Sequence, residues 1–161
     1  MARTPVSFTL NDAEKGVFVT EAQTLLDALR REAGDFSVKY GCAQGTCGAC
    51  TVLVDGEPHL SCLMLAEAAQ GRRVETTAGL ARGASMHTLQ EAFMDGFAAQ
   101  CGYCTGGMLM AAKALLDRDP RPTRDEVVEA ISGNLCRCTG YEPIVDAIMA
   151  AAARIGGRGA A

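Results

Sequence analysis

The chain has 161 residues and a mass of 16.8 kDa, enough for one ordinary domain or two small ones. Hydrophobic residues make up 48% and charged residues 21%, which excludes a disordered chain, and a net charge of −4 argues against nucleic acid as the main partner. No apolar run approaches the ~18 residues of a membrane span, and the first seven residues lack the charged and apolar regions of an export signal.

Taken in chain order, Val6–Leu10 and Gly16–Thr20 are expected strands around the polar turn 11–15. Thr24 to Asp27 has the form of a capping box and opens a helix bearing Leu25, Leu26 and Leu29. A glycine- and cysteine-rich loop follows over 41–50. Thr51–Val54 then runs into Asp55-Gly56, a strong hairpin signal, and returns through His59 and Leu60 to Cys62, which is expected on the returning strand. Residues 73–76 read as a weaker strand. Residues 77–86, small and glycine-containing, read as a connection. After it the periodicity becomes helical. Thr88-Leu89-Gln90-Glu91 reads as a capping box ahead of Leu89, Phe93 and Phe97 on one face. A second helix carries Met108, Leu109, Ala112, Leu115 and Leu116 and stops near Pro120. Thr123 caps a third with Val127, Val128 and Ile131, and Pro143 opens a fourth with Ile144, Ala147 and Ile148. Residues 156–161 are expected to be a disordered tail. With 27 alanines and no Trp, both halves should have cores of modest volume.

The eight cysteines are the informative number. They read C-x4-C-x2-C-x11-C over 42, 47, 50 and 62, then C-x2-C-x31-C-x-C over 101, 104, 136 and 138. Disulfides need an oxidising compartment, and pairs as close as Cys47/Cys50 would close loops too short to gain much chain entropy. A four-cysteine zinc site usually takes two C-x2-C knuckles, which neither set shows. The first set has the plant-type [2Fe–2S] spacing. A Rieske cluster would need two histidines, and His59 and His87 have no cysteine at the required spacing. Glycines among the first three thiols suit a loop that wraps a cluster with its N–H groups aimed at sulfur.

In the second set each cysteine pair lies at a junction between two helices. Two helical hairpins would each supply two thiolates to a metal at one end of a four-helix unit. That spacing alone does not choose zinc or iron; the adjoining plant-type site favours iron.

The segments Gly-Cys-Ala-Gln-Gly-Thr-Cys-Gly-Ala-Cys-Thr-Val at 41–52, Gln-Cys-Gly-Tyr-Cys-Thr at 100–105 and Gly-Asn-Leu-Cys-Arg-Cys-Thr-Gly-Tyr at 133–141 resemble the small iron–sulfur subunit of molybdenum hydroxylases over residues 5–150. This family includes xanthine dehydrogenases, aldehyde oxidoreductases, carbon monoxide dehydrogenases and 4-hydroxybenzoyl-CoA reductases. The resemblance implies an α+β chain. A β-grasp plant-type ferredoxin domain (1–76) would be joined by a linker (77–86) to an all-α four-helix [2Fe–2S] domain (87–155). It implies that Cys42, Cys47, Cys50 and Cys62 bind one [2Fe–2S] cluster and Cys101, Cys104, Cys136 and Cys138 the other. It also implies a molybdopterin-binding large subunit, commonly an FAD-binding medium subunit, and contact between Gln100 and the pterin. Ala43, Gln44 and Gly106 depart from residues frequent in the family, without changing the ligand count.

Two clusters in series would relay single electrons between two-electron partners, and no catalytic residue is expected in this chain. Arg137, between two cysteines, could raise the potential of the helical cluster. A cytoplasmic location is the expectation. The competing readings are a zinc-stabilised or cluster-sensing interaction module, and a free-standing two-cluster ferredoxin.

Overall fold

A computed structural model describes residues 3–158. Five strands form one sheet in the order β2-β1-β5-β3-β4, comprising β1 (Arg3–Leu10), β2 (Ala13–Thr20), β3 (Thr51–Val54), β4 (Glu57–Leu60) and β5 (Arg73–Glu75). β1 pairs antiparallel with β2 and parallel with β5, which joins the two hairpins into a β-grasp. The first hairpin is tighter than the sequence suggested. Asn11 and Asp12 alone turn the chain at φ 50° and 67°, the two left-handed positions of a type I′ turn, so residues 13–15 belong to β2.

Thr24 caps the short helix α1 (Leu25–Asp27) by accepting from Asp27 N–H at 3.1 Å. The helix then widens over Ala28–Glu32, where Ala33 N–H donates to Ala28 O at 2.9 Å in an i→i+5 bond. Leu25, Leu26 and Leu29 pack into the sheet core beside Phe8, Val19 and Val52.

The second half holds α2 (Thr88–Asp95), α3 (Thr105–Arg118), α4 (Arg124–Ala130) and α5 (Glu142–Arg158). Leu89, Phe93, Met108, Leu115, Ile144 and Ile148 form their common core. β3 is buried at all four positions because both its faces are covered. Val52 and Val54 enter the sheet core, whereas Leu53 enters the helical one.

Three helix expectations are corrected. His87, not the Thr88 segment, caps α2: its Nδ1 accepts from Leu89 N–H at 3.2 Å and its own N–H reaches Gln90 Oε1 at 2.9 Å. Phe97 does not join the buried face of Leu89 and Phe93. The helix ends at Asp95, and Phe97 adopts φ 49° and is 85% exposed, while Ala98 takes the interior place. The expected disordered tail is also helical through Arg158. A side chain at Gly156 would stand 3.2 Å from Arg121 Cγ, so its lack of one lets the last turn of α5 lie against Pro120-Arg121. Residues 159–161 lie outside the described residues.

Candidate metal centres

The N-terminal cysteine loop is shaped by backbone that glycine favours. Gly45 and Gly48 take φ 83° and 67°, and Ala43 takes φ 55° without that freedom. Gly41 is needed for space instead: a Cβ there would stand 2.6 Å from Cys47 Sγ. Gln44 and Thr46 N–H groups donate to Cys42 Sγ at 3.5 and 3.3 Å. The Thr46 side chain, then the Gln44 N–H, bring the Cys42 thiol down to about 5.

Cys50 leads into β3. Cys62 was expected on a strand but lies in the turn beyond Leu60, where β4 ends. The chain leaves the ladder because Ser61 O accepts from Leu26 N–H at 3.0 Å and Met64 O from Leu25 N–H at 2.7 Å, which binds this turn to α1. Ser61 in turn donates its N–H and Oγ to Cys50 O at 3.3 and 2.7 Å, so Cys50 and Cys62 face one another. Both are buried. Burial, reinforced by the neighbouring Cys62 thiol, pushes the Cys50 thiol up to about 11.

The second set comes together from two turns. Cys101 and Cys104 connect α2 to α3; Cys136 and Cys138 connect α4 to α5. Cys138 Sγ lies 3.7 Å from Cys101 Sγ, both exposed. Cys104 and Cys136 interact directly and are half-buried; burial, then Cys136, pushes the Cys104 thiol up to about 12. Burial acts against Cys136 as an anion, but the Thr139 hydroxyl, donating at 3.1 Å, brings it down to about 7. Cys136 N–H donates to Tyr141 Oη at 3.0 Å, and Tyr141, at φ 72°, donates its N–H to Thr139 Oγ1 at 3.2 Å. Thr139 and Tyr141 thus brace Cys136. The sequence signal for both is their place in the 133–141 segment, beside Cys136 and Cys138.

The thiols therefore meet two by two: 42 with 47, 50 with 62, 101 with 138, and 104 with 136. None of the eight is paired in a disulfide. Among the described residues no three His, Cys, Asp or Glu side chains converge on one point, as a single-ion site would require. Two thiolates on one tetrahedral metal at ~2.3 Å stand roughly 3.8 Å apart, which the Cys101/Cys138 separation matches. Two such pairs side by side suit a dinuclear cluster with one pair per metal. His59 on β4 and His87 at the cap of α2 belong to no such group.

The two cysteine loops touch. Leu135 N–H donates to Cys47 O at 2.9 Å, and the buried Asn134 donates its Nδ2 to Gly48 O at 2.9 Å and Thr51 Oγ1 at 3.3 Å. A Cβ at Gly107 would stand 2.2 Å from Gly48 O, so α3 also rests directly on the N-terminal loop. Gln100 and Arg137 are exposed, each next to an exposed cysteine.

Two family models match: a 2Fe-2S iron-sulfur cluster binding domain over residues 8–81 and a [2Fe-2S] binding domain over residues 76–149. The nicotine 6-hydroxylase small subunit of Paenarthrobacter nicotinovorans is 46% identical over 156 residues, covering 97% of this chain and 94% of its own. The nicotinate dehydrogenase small FeS subunit of Eubacterium barkeri is 44% identical, covering 96% and 98%. The chain is a small iron–sulfur subunit of the molybdenum hydroxylase family. The crystal structure of quinoline 2-oxidoreductase from Pseudomonas putida 86 contains a chain that superposes on this small subunit with a TM-score of 0.94 at 46% identity, over the full length of both. The aldehyde oxidoreductase of Desulfovibrio desulfuricans superposes at 0.92 and 39% identity, and there the small subunit spans 17% of a much longer chain. The subunit thus carries two [2Fe–2S]-binding domains in an electron-transfer family. No helix among its described residues is long and apolar enough to cross a membrane.

Proposed function

We propose that this subunit relays single electrons through two [2Fe–2S] clusters within a molybdenum hydroxylase complex. The electrons come from a molybdopterin site in a large partner subunit and pass to FAD in a medium subunit or to another acceptor. The observation that carries this reading is the set of four thiol pairs in two touching loops. Cys42, Cys47, Cys50 and Cys62 hold one cluster; Cys101, Cys104, Cys136 and Cys138 hold the other. Bound there, each cluster takes up and releases one electron.

The chain's own residues supply the surroundings. The Gln44 and Thr46 N–H groups aimed at Cys42 and the Thr139 hydroxyl aimed at Cys136 stabilise the thiolate forms that metal ligation needs. Arg137 adds a positive charge between two ligands and raises the potential there. Gln100 offers both an amide donor and an acceptor, suited to the mixed polar edge of a pterin in the partner. The surface around Cys101 carries exposed Phe36, Tyr40 and Tyr103, with Tyr103 Oη donating to Tyr40 O at 2.7 Å, and such a patch suits coverage by another subunit. A cytoplasmic location goes with this reading, since cluster ligation needs reduced thiolates. The ferredoxin domain ends at 76, and 77–86 connect it to the helical one.

Iron and sulfide analysis of the intact subunit tests the reading. About four irons and four inorganic sulfides per chain are expected, with two distinct paramagnetic signals on reduction and no substrate turnover by the subunit alone. A colourless zinc protein, or hydroxylation by the pure subunit, would remove the assignment.

A further inference from the structure

We infer that Asp35 is a positioning residue for transfer between the clusters: its buried carboxylate locks the 76–78 connection and so fixes the N-terminus of α3, with Cys104, against the ferredoxin domain. The inference rests on the two-cluster reading.

Asp35 is 9% exposed. It lies in the stretch between α1 and Cys42, its N–H tied to Leu29 O at 2.8 Å. A carboxylate taken from water needs several donors to be tolerated, and this one has three. Ser37 gives its N–H at 2.9 Å and its hydroxyl at 2.6 Å, and the fully buried Thr76 gives its hydroxyl at 2.6 Å. Thr76 is gripped from its other side by Asn11 in the first hairpin turn: Asn11 Nδ2 donates to Thr76 Oγ1 at 2.9 Å, and Thr76 N–H donates to Asn11 Oδ1 at 2.8 Å. Two separate parts of the ferredoxin domain, the first hairpin turn and the stretch before Cys42, therefore converge on the residue where the chain leaves it.

The next two residues carry the constraint across. Ala78 N–H donates to Ser37 Oγ at 3.3 Å, and Thr77 Oγ1 donates to Gly106 O at 3.1 Å in the first turn of α3. Gly106 is also pressed from the ferredoxin side, since a Cβ there would stand 3.1 Å from Thr77 Oγ1 and 3.3 Å from Ser37 O. Cys104 lies two residues before Gly106. Asp35 thus acts on the helical site only through spacing, and a network of this kind loses its geometry when its acceptor is removed.

The test uses the intact, iron-loaded subunit and the magnetic interaction between the two reduced clusters, which a merely stabilising residue would leave unchanged. In Asp35→Ala the iron content and the two individual signals should persist while their mutual splitting is lost. Unchanged splitting in that variant would overturn the inference. Should Asp35→Ala fail to fold, Thr77→Val decides: it leaves the carboxylate network intact, removes only the bond to Gly106, and should weaken the splitting; full splitting there overturns the inference. Fewer than two signals in the wild-type subunit would instead remove the two-cluster reading, and the inference with it.

Discussion

The two cysteine sites reach the same inner-and-outer pairing by different routes. The N-terminal site takes three of its thiols from one loop of nine residues, Cys42 to Cys50, and the hairpin that follows returns the fourth. The helical site takes two thiols from each of two turns, with 31 residues between Cys104 and Cys136. Its halves meet only when α2–α3 and α4–α5 have packed. Local geometry therefore dominates the first site and tertiary packing the second. The inner thiols show the shared result, with burial raising both Cys50 and Cys104. The outer pairs differ: Cys42 and Cys47 are half-buried, whereas Cys101 and Cys138 stand open to solvent.

Ligand removal gives the largest effect that can break this comparison. Cys138→Ala should remove about half the iron and spare the N-terminal cluster, and Cys47→Ala should do the reverse. Joint loss of both clusters from either variant, with the other domain still folded, would show that the partition is wrong. The costs to stability should differ. Under the proposed partition the helical cluster would close a gap of 31 residues and the N-terminal one a gap of 11, from Cys50 to Cys62. Loop-closure entropy then makes the helical loss larger by about 1 kcal/mol. Chemical unfolding of the two variants measures that difference, and equal costs would mean that packing, not closure, governs both.

A second perturbation acts at the joint, where the two routes meet. Gly107→Ala places a methyl 2.2 Å from Gly48 O and 2.9 Å from Asn134 Nδ2, so α3 must back away from the N-terminal loop. Overpacking of this kind costs about 1–3 kcal/mol. Both cluster signals should shift in that variant, because Gly48 and Asn134 lie close in the chain to Cys47 and Cys136, the proposed ligands of different clusters. Gly133→Ala is the control: no atom lies within 4 Å of the added carbon, and neither signal should move. A shift confined to the helical signal in Gly107→Ala would show that the joint is not shared.

The same division explains what the sequence made legible. Features set by neighbours in the chain could be read: the Asp55-Gly56 hairpin, the Thr24 and Thr123 caps, and the plant-type cysteine spacing. Features set across the chain could not. Asn134 finds Gly48 from 86 residues away, and nothing in either residue's surroundings announces it. Cys62 leaves its strand for bonds made by α1. Gly156 and Gly157 read as the start of a loose tail, yet the missing side chain at Gly156 is what lets α5 close on Pro120-Arg121. The α2 cap lies one residue before the Thr88 box that the sequence offers, because histidine seldom caps a helix and here its ring nitrogen does so.

The smallest expected effect tests whether the helical site depends on its shortest helix. α4 has seven residues and leads into Asn134 and Cys136. Thr123 caps it by accepting from Glu126 N–H at 3.3 Å, while Glu126 accepts from both Thr123 N–H and Oγ1 at 2.7 Å. Thr123→Ala should cost about 1 kcal/mol, read as earlier thermal loss of the helical cluster signal with the N-terminal one unmoved. The acid response separates the two halves of the cap. The Thr123 N–H, then its hydroxyl, hold the Glu126 carboxyl below its ordinary value of 4.5. A folded value lowered in this way means stabilisation present in full above the ordinary value and lost as the pH falls through the folded one. Thr123→Ala removes the hydroxyl but keeps the N–H, the larger cause, so most of the acid sensitivity at this cap should survive in it. Glu126→Gln should abolish that share altogether. Measuring each variant as a difference from wild type at pH 7 and pH 3 cancels the acid loss common to all. If the difference for Thr123→Ala changed between pH 7 and pH 3 as much as that for Glu126→Gln, the hydroxyl and not the backbone would be the grip on Glu126, and that carboxylate would be held by a side chain alone.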